Sequence, residues 1–117
     1  MIQQDEMRGG VKIGELVEHL GMVVVNRGAD YDTALVGIKD VNRPGLQLVG
    51  FFDYFDPRRL QVIGMAETQM LSSIDPERRA KSFSRLFEYD IPALVVSRDL
   101  DIYPECLSMA RKYKRTL

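Results

Sequence analysis

The sequence has very little of what builds disulfides and soft metal sites. Its 117 residues include a single cysteine, Cys106, a single histidine, His19, and no tryptophan. A lone cysteine excludes a disulfide within the chain and is typical of proteins from a reducing compartment. One histidine and one cysteine also cannot form the Cys/His ligand set of a structural zinc site. We therefore expect a cytoplasmic protein without a metal site.

An excess of charge of one sign and a long hydrophobic run are missing as well. The 16 basic residues nearly balance the 17 acidic ones, and no apolar run approaches the roughly 20 residues that span a bilayer. The basic end formed by Arg111, Lys112, Lys114 and Arg115 suits the last turn of any helix. These features predict neither a nucleic-acid nor a membrane partner. With no linker or repeat, residues 1–117 are predicted to form a single domain.

Hydrophobic periodicity predicts an α/β fold. Ile13 begins an apolar stripe at helical spacing that ends before Gly21, a good residue to terminate a helix. Asp75-Pro76-Glu77 is a strong helix start, because aspartate caps the helix and proline suits its first position. Short β-branched runs between helices predict a small mixed or mostly parallel sheet of about four strands, flanked by helices. The predicted helices are 12–20, 45–55, 66–71, 76–88 and 104–113, and the predicted strands are 22–25, 34–41, 60–63 and 93–96.

A search for catalytic motifs finds none. A phosphate-binding P-loop needs a lysine and a hydroxyl residue directly after its second glycine. The glycine spacing occurs at 9–14 and 45–50, but Glu15 and Phe51 follow instead. His19 is interpreted as an ordinary surface histidine and Cys106 as a small buried hydrophobic residue. The scattered carboxylates are interpreted as turn-forming and solvated, so no catalytic residue is predicted.

One segment is unusual in composition. Residues 43–55 contain four aromatic residues, two glycines and an arginine in thirteen positions. The phenylalanines are most simply accommodated in the core. Three phenylalanines and a tyrosine nevertheless exceed what a short helix can bury in so small a domain, so part of this surface could pack on a partner. Both interpretations stay open from the residues alone.

The same segment carries a family resemblance. NRPGLQLVGFFDYFDPRRLQVIGMAE, residues 42–67, resembles the hallmark stretch of the N-terminal domain of bacterial HPr kinase/phosphorylase. VKIGELVEHLGMVVVNRG, before it, is similar to the opening helix and strand of that family. ERRAKSFSRLFEYDIPALVVSRDLDIYPECLSMARKY, after it, is similar to the later helix, strand and helix. The resemblance covers nearly the whole chain.

The resemblance implies a role within a larger enzyme. The family phosphorylates a serine of the phosphocarrier HPr with ATP or pyrophosphate, can reverse the reaction, and controls carbon catabolite repression. Its activity belongs to a later P-loop domain, to which ATP or pyrophosphate and magnesium would bind. The resemblance therefore implies a non-catalytic regulatory or assembly domain without a cofactor of its own. Implied partners are the kinase domain, sister subunits in a homo-oligomer, and HPr through the full-length protein.

The resemblance also suggests candidate site residues. The family's N-terminal domain is similar to the N-terminal domains of Mur ligases. By that comparison, the turn at residues 40–45 of this chain would face a ligand. This gives an alternative function, a free-standing module that binds a nucleotide or phosphorylated metabolite at Arg43. In a plainer interpretation, Arg43 and Asp53 fix the turn to the helix that follows. Tyr54 and Phe55 are the candidate residues for a protein interface.

Overall fold

The computed structural model describes residues 10–37, 40–97 and 100–117. Five helices and four short strands alternate along these ranges. Their order is β1 (Val11–Lys12), α1 (Ile13–Leu20), β2 (Leu35–Val36), α2 (Gly45–Leu48), β3 (Gln61–Ile63), α3 (Met65–Ser72), α4 (Pro76–Phe87), β4 (Leu94–Val96) and α5 (Pro104–Tyr113).

The longer helices begin or end at glycine, aspartate and proline residues that favour helix ends. α1 ends at Gly21, which adopts a left-handed φ of 65°, a conformation that costs glycine little. At the start of α4 the Asp75 carboxylate accepts a 2.8 Å hydrogen bond from the Arg78 amide, and Pro76 occupies the first turn. α5 also begins with a proline, Pro104. The helices predicted at 12–20, 66–71, 76–88 and 104–113 are therefore confirmed.

The strands form two separate pairs. β1 and β2 pair antiparallel, whereas β3 and β4 pair parallel. The α/β class with mixed strand pairing is confirmed, but the expectation of one four-stranded sheet is wrong. The similarity to Mur ligase N-terminal domains stays a prediction.

Two predicted strands differ from the structure. Residues 22–25 are not a strand: the amides of Val25 and Asn26 both donate to the carbonyl of Leu117, and no strand among the described residues pairs with this segment. The strand predicted at 34–41 is limited to Leu35–Val36, and its positions 38 and 39 lie outside the described residues. Asn42, just beyond it, forms an isolated parallel bridge with Gln61.

The helix predicted at 45–55 is also wrong beyond its first turn. α2 ends at Leu48, because Gly50 adopts a φ of 99° that a right-handed helix cannot continue. The amide of Phe51 then turns back to the carbonyl of Leu46 at 2.9 Å. The aromatic residues of this segment consequently follow the helix in a series of turns.

The core lies mainly where α4 and α5 cover the β3–β4 pair. Its fully buried side chains include Phe83, Leu86 and Phe87 from α4 and Cys106 and Ala110 from α5. A smaller cluster lies beneath α1, around Ile13, Tyr31, Val36 and Ala93. Burial of the helical faces against the strands is the main source of stability in such a layered domain.

Candidate functional site

The aromatic segment is anchored at its start by buried amides. The Asn42 side chain donates to Gln47 Oε1 at 3.0 Å and to Gln61 Oε1 at 2.6 Å. Gln47 in turn donates to the carbonyl of Phe51. Gln61 and Gln47 are both buried, and a buried amide without partners would cost about 1–3 kcal/mol. The network therefore fixes the path of the chain from Asn42 to Phe51.

Two phenylalanines of the segment belong to the core. Phe52 stacks on Tyr89 with ring centroids 4.9 Å apart. Phe55 contacts both rings edge-on, at 5.5 Å from Phe52 and 5.1 Å from Tyr89. Offset and edge-on contacts of this kind are the favoured geometries of aromatic pairs. Phe52 and Phe55 are partly buried against the main core, so the core interpretation is correct for these two residues.

Other residues of the segment lie in solvent. Tyr54 is fully exposed, at 102% of its reference area, and Phe51 is 45% exposed. Tyr54 also has a φ of 64°, a left-handed conformation that is unfavourable for a residue with a β-carbon. Together with the exposed side chains of Leu46 and Val49, these residues define what we call the exposed apolar group. The chain holds Tyr54 outward at a conformational cost.

Arg43 forms an ion pair with Glu67. Its Nη2 donates to Glu67 Oε1 at 2.6 Å, and the same oxygen accepts the amide of Gly64 at 2.7 Å. In the plainer interpretation, Arg43 and Asp53 fix the turn to the helix that follows; the structure has Arg43 on Glu67 of α3 instead, and Asp53 lies exposed in the turn before Tyr54. The reason is topological, since β3 brings the start of α3 beside Asn42 and Arg43.

Glu67 is ionised by its partners in spite of its burial. Its side chain is 9% exposed. Burial favours the protonated form, but the hydrogen bonds from Arg43 and the Gly64 amide outweigh it and lower the pKa of Glu67. The sequence offered one signal for this site: a glutamate three residues after Gly64 reaches back to the amide of the residue that caps α3.

The absence of a β-carbon at Gly64 leaves room for the guanidinium of Arg43. A β-carbon at this position would lie 3.2 Å from Arg43 Cζ and 3.6 Å from Glu67 Oε1. The φ of Gly64 is −118°, which any residue adopts, so the constraint comes from space and not from the backbone. Arg43, Gly64 and Glu67 form one unit, which we call the arginine clamp.

The lone cysteine and histidine lie apart from this unit. His19 is on the exposed side of α1, as expected. Cys106 is buried, and burial, with a smaller contribution from Glu105, raises the pKa of its thiol to about 12. Such a thiol stays protonated at neutral pH and is a poor nucleophile. Among the described residues there is no group of three or more side chains suited to hold a metal ion.

The basic end of the chain performs a structural task. Arg115 donates to the carbonyl of Phe87 at 2.8 Å and to Asp90 at 3.0 Å, which ties the end of α4 to the tail that follows α5. Lys114 adopts the left-handed conformation that ends α5. Within the ranges that the structure describes, no helix has the length and apolar character to cross a bilayer.

A known protein family matches nearly all of the described residues. The family described as HPr Serine kinase N terminus matches residues 11–117. The chain belongs to this family. The match includes the aromatic segment, the arginine clamp and all five helices. The resemblance inferred from the motif at residues 42–67 is therefore confirmed.

Individual relatives agree with the family. The chain is 42% identical over 103 residues to the HPr kinase/phosphorylase of Clostridium perfringens (strain SM101 / Type A), covering 88% of this chain and 33% of the relative. It is 42% identical over 108 residues to that of Clostridium tetani (strain Massachusetts / E88), covering 92% and 35%. For Alkaliphilus metalliredigens (strain QYMF) the values are 38% over 107 residues, 92% and 34%. The chain thus spans about a third of the length of the curated relatives it matches.

Proposed function

We propose that this chain is a non-catalytic regulatory or assembly domain of an HPr kinase/phosphorylase. In this proposal, the protein to which it belongs phosphorylates a serine of HPr and removes the phosphate again, in the cytoplasm, in the service of carbon catabolite repression. ATP or pyrophosphate and magnesium would bind to a separate kinase domain, because both glycine spacings of this chain lack the P-loop lysine and hydroxyl. The partners would be that kinase domain, sister subunits and HPr.

The observation that carries the proposal is the outward presentation of Tyr54. An aromatic side chain held in solvent by a left-handed backbone stabilises nothing within the monomer. Strained residues of this kind cluster at functional sites such as ligand clamps and switch regions, and tyrosine and phenylalanine are enriched at interface centres. Phe52, Phe55 and Tyr89, which flank it in the sequence or pack on those neighbours, already contact one another.

The alternative function, a free-standing module for a phosphorylated ligand at Arg43, has less support. The guanidinium already donates to Glu67, whose carboxylate is buried in the clamp. A phosphate that replaced this carboxylate would leave it buried without its cation, which is costly, and one that bound the remaining N–H donors would share the guanidinium with Glu67. The clamp therefore favours a structural role for Arg43.

The variant Tyr54→Ala tests the interface. We expect it to reduce self-association of the chain, or association with the kinase domain, by at least tenfold while the melting temperature stays within about 2 °C of the parent. Phe55→Ala is the matched control, because it removes an aromatic ring one position away that packs on the core and should mainly lower the melting temperature. Sedimentation velocity and thermal unfolding of the three proteins provide both readouts. Unchanged association in Tyr54→Ala would remove the basis of the proposed interface.

The proposed non-catalytic role is tested by an assay of phosphate transfer to HPr. Purified chain, radiolabelled ATP, magnesium and HPr should give no labelled HPr above the level of a mock purification. Labelling of HPr that exceeds this control, and that persists when the chain is purified further, would refute the proposal.

A further inference from the structure

Two cations lie beside the exposed apolar group, on the side of α4. The Arg85 guanidinium is 5.8 Å from the centroid of the Phe52 ring, and its Nη1 would lie 3.3 Å from a β-carbon at Gly50. Because Gly50 and Phe52 are the chain neighbours of Phe51, this guanidinium lies at the edge of the exposed apolar group. Lys81, one helical turn earlier on α4, is on the same face of that helix.

Neither cation has a carboxylate partner. Arg85 and Lys81 are both exposed, and neither forms an ion pair with any residue that the structure describes. The arginines at the start of the aromatic segment and just beyond its end, Arg43 and Arg58, are both paired. The α4 side of the exposed apolar group therefore carries positive charge that the described residues do not compensate.

The first turn of α2 fixes the distance between these cations and the apolar side chains. The Ser82 hydroxyl of α4 donates to the carbonyl of Leu48 at 2.7 Å. On either side of Leu48, the side chains of Leu46 and Val49 are 61% and 66% exposed. A partner that covers these two side chains and Phe51 consequently also comes within reach of Arg85.

The chemistry of such a partner follows from desolvation. Covering the surface removes water from the guanidinium, which is strongly unfavourable unless the partner supplies hydrogen-bond acceptors. A carboxylate does this best, because it accepts two parallel N–H bonds from an arginine. We propose that the exposed apolar group and Arg85 are the docking surface for an acidic, apolar segment of a protein partner, with one carboxylate on Arg85 and a second near Lys81. This inference rests on the proposed interface and adds the chemical class of the partner.

Other occupants match the surface less well. An anionic membrane would be attracted by only these two cations, each of which contributes weakly, and the chain as a whole has a net charge of −1. A second copy of the same surface would bring the same two cations, and residues 43–55 contain a single carboxylate, Asp53, to meet them. The acidic segment of a different protein compensates both cations and covers the apolar side chains.

The test selects partner segments without assuming their sequence. A phage library of random peptides of about 12 residues is panned on the full chain, and peptides that also bind the Tyr54→Ala variant are discarded. We expect the enriched peptides to combine aliphatic or aromatic residues with aspartate or glutamate. Replacing their acidic residues by asparagine or glutamine should weaken binding to the parent at least tenfold, as measured by fluorescence anisotropy.

The variant Arg85→Gln tests the cation itself. It should weaken binding of the enriched peptides at least tenfold and bind their neutral versions as the parent does. Arg111→Gln is the matched control, because it removes the same charge from an exposed position on α5, and it should change the affinity less than about twofold. Both variants should melt within about 2 °C of the parent, so a loss of binding is not a loss of fold.

The remaining outcomes overturn the inference. Enriched peptides that contain no excess of acidic residues, or that bind Arg85→Gln as tightly as the parent, would keep the proposed interface but refute its acidic partner. If no peptide is enriched, the surface accepts no linear segment, and the sedimentation of Tyr54→Ala then decides the proposed function by itself. Binding to phosphatidylserine vesicles that is lost in Arg85→Gln would make a membrane the occupant, and self-association that Arg85→Gln reduces without peptide would make it a second copy.

Discussion

Replacing Gly64 by alanine should break the arginine clamp by direct contact with Arg43. The new methyl group would meet the guanidinium of Arg43, with Cζ only 3.2 Å away, and the arginine is the flexible partner that must move. The backbone gives no reason for a cost, because a φ of −118° suits alanine as well as glycine. The expected loss is therefore that of the Arg43–Glu67 ion pair.

The magnitude follows from the burial of the two partners. Exposed ion pairs contribute about 0–1 kcal/mol, whereas a buried group that loses its partner costs about 1–3 kcal/mol. The Arg43 side chain is 51% exposed but the Glu67 side chain only 9%, and Glu67 would keep its bond to the amide of residue 64. We expect Gly64→Ala and Arg43→Ala each to lower the free energy of unfolding by about 1–2 kcal/mol.

A double-mutant cycle tests whether Gly64→Ala and Arg43→Ala lower the free energy of unfolding through loss of the same ion pair. Urea unfolding of the parent, Gly64→Ala, Arg43→Ala and the double variant gives the four free energies. If alanine at 64 acts only by expelling the arginine, the double variant is no less stable than Arg43→Ala. Additive losses would refute this account and place the cost of Gly64→Ala in some other contact.

The same pair predicts a pH dependence. The pKa of Glu67 in the fold lies below its ordinary value of 4.5, so the clamp contributes stability above that value and loses it as the pH falls through the lower, native-state pKa. The stability difference between the parent and Arg43→Ala should be constant above about pH 6 and shrink toward pH 3. A difference that is independent of pH would mean that Arg43 acts through packing and not through the charge of Glu67.

Two further predictions concern the helices. Asp75→Ala removes the carboxylate that accepts the Arg78 amide and should cost about 1 kcal/mol in urea unfolding; Asp75→Asn, which can still cap, should cost clearly less, and equal losses would argue against capping. Cys106, buried and with its pKa raised to about 12, should react with iodoacetamide at pH 8 at least about a hundredfold more slowly than the unfolded chain. Comparable rates in the native and unfolded protein would show that the α5 face opens readily.

What the sequence determined by itself is the local structure with strong local signals, and the family. α1, α4 and α5 were predictable because apolar periodicity, an aspartate cap, prolines at helix starts and Gly21 all act within a few residues of one another. The motif at residues 42–67 was enough for the family, since it is long and specific. Burial of Cys106 and exposure of His19 also followed from residue type and helix position.

The tertiary structure decided everything that depends on distant partners. Residues 22–25 have the composition of a strand, but their backbone partner lies some ninety residues away in the tail at Leu117. Arg43 pairs with Glu67, 24 positions on, because β3 carries the start of α3 beside it, and no spacing rule encodes that contact. The division of the aromatic segment into partly buried Phe52 and Phe55 and exposed Phe51 and Tyr54 was likewise fixed by turns at Gly50 and Tyr54 and by the ring of Tyr89. Local propensity selects the elements of a small domain, whereas which side chains they bring together is set by packing between segments that the sequence keeps apart.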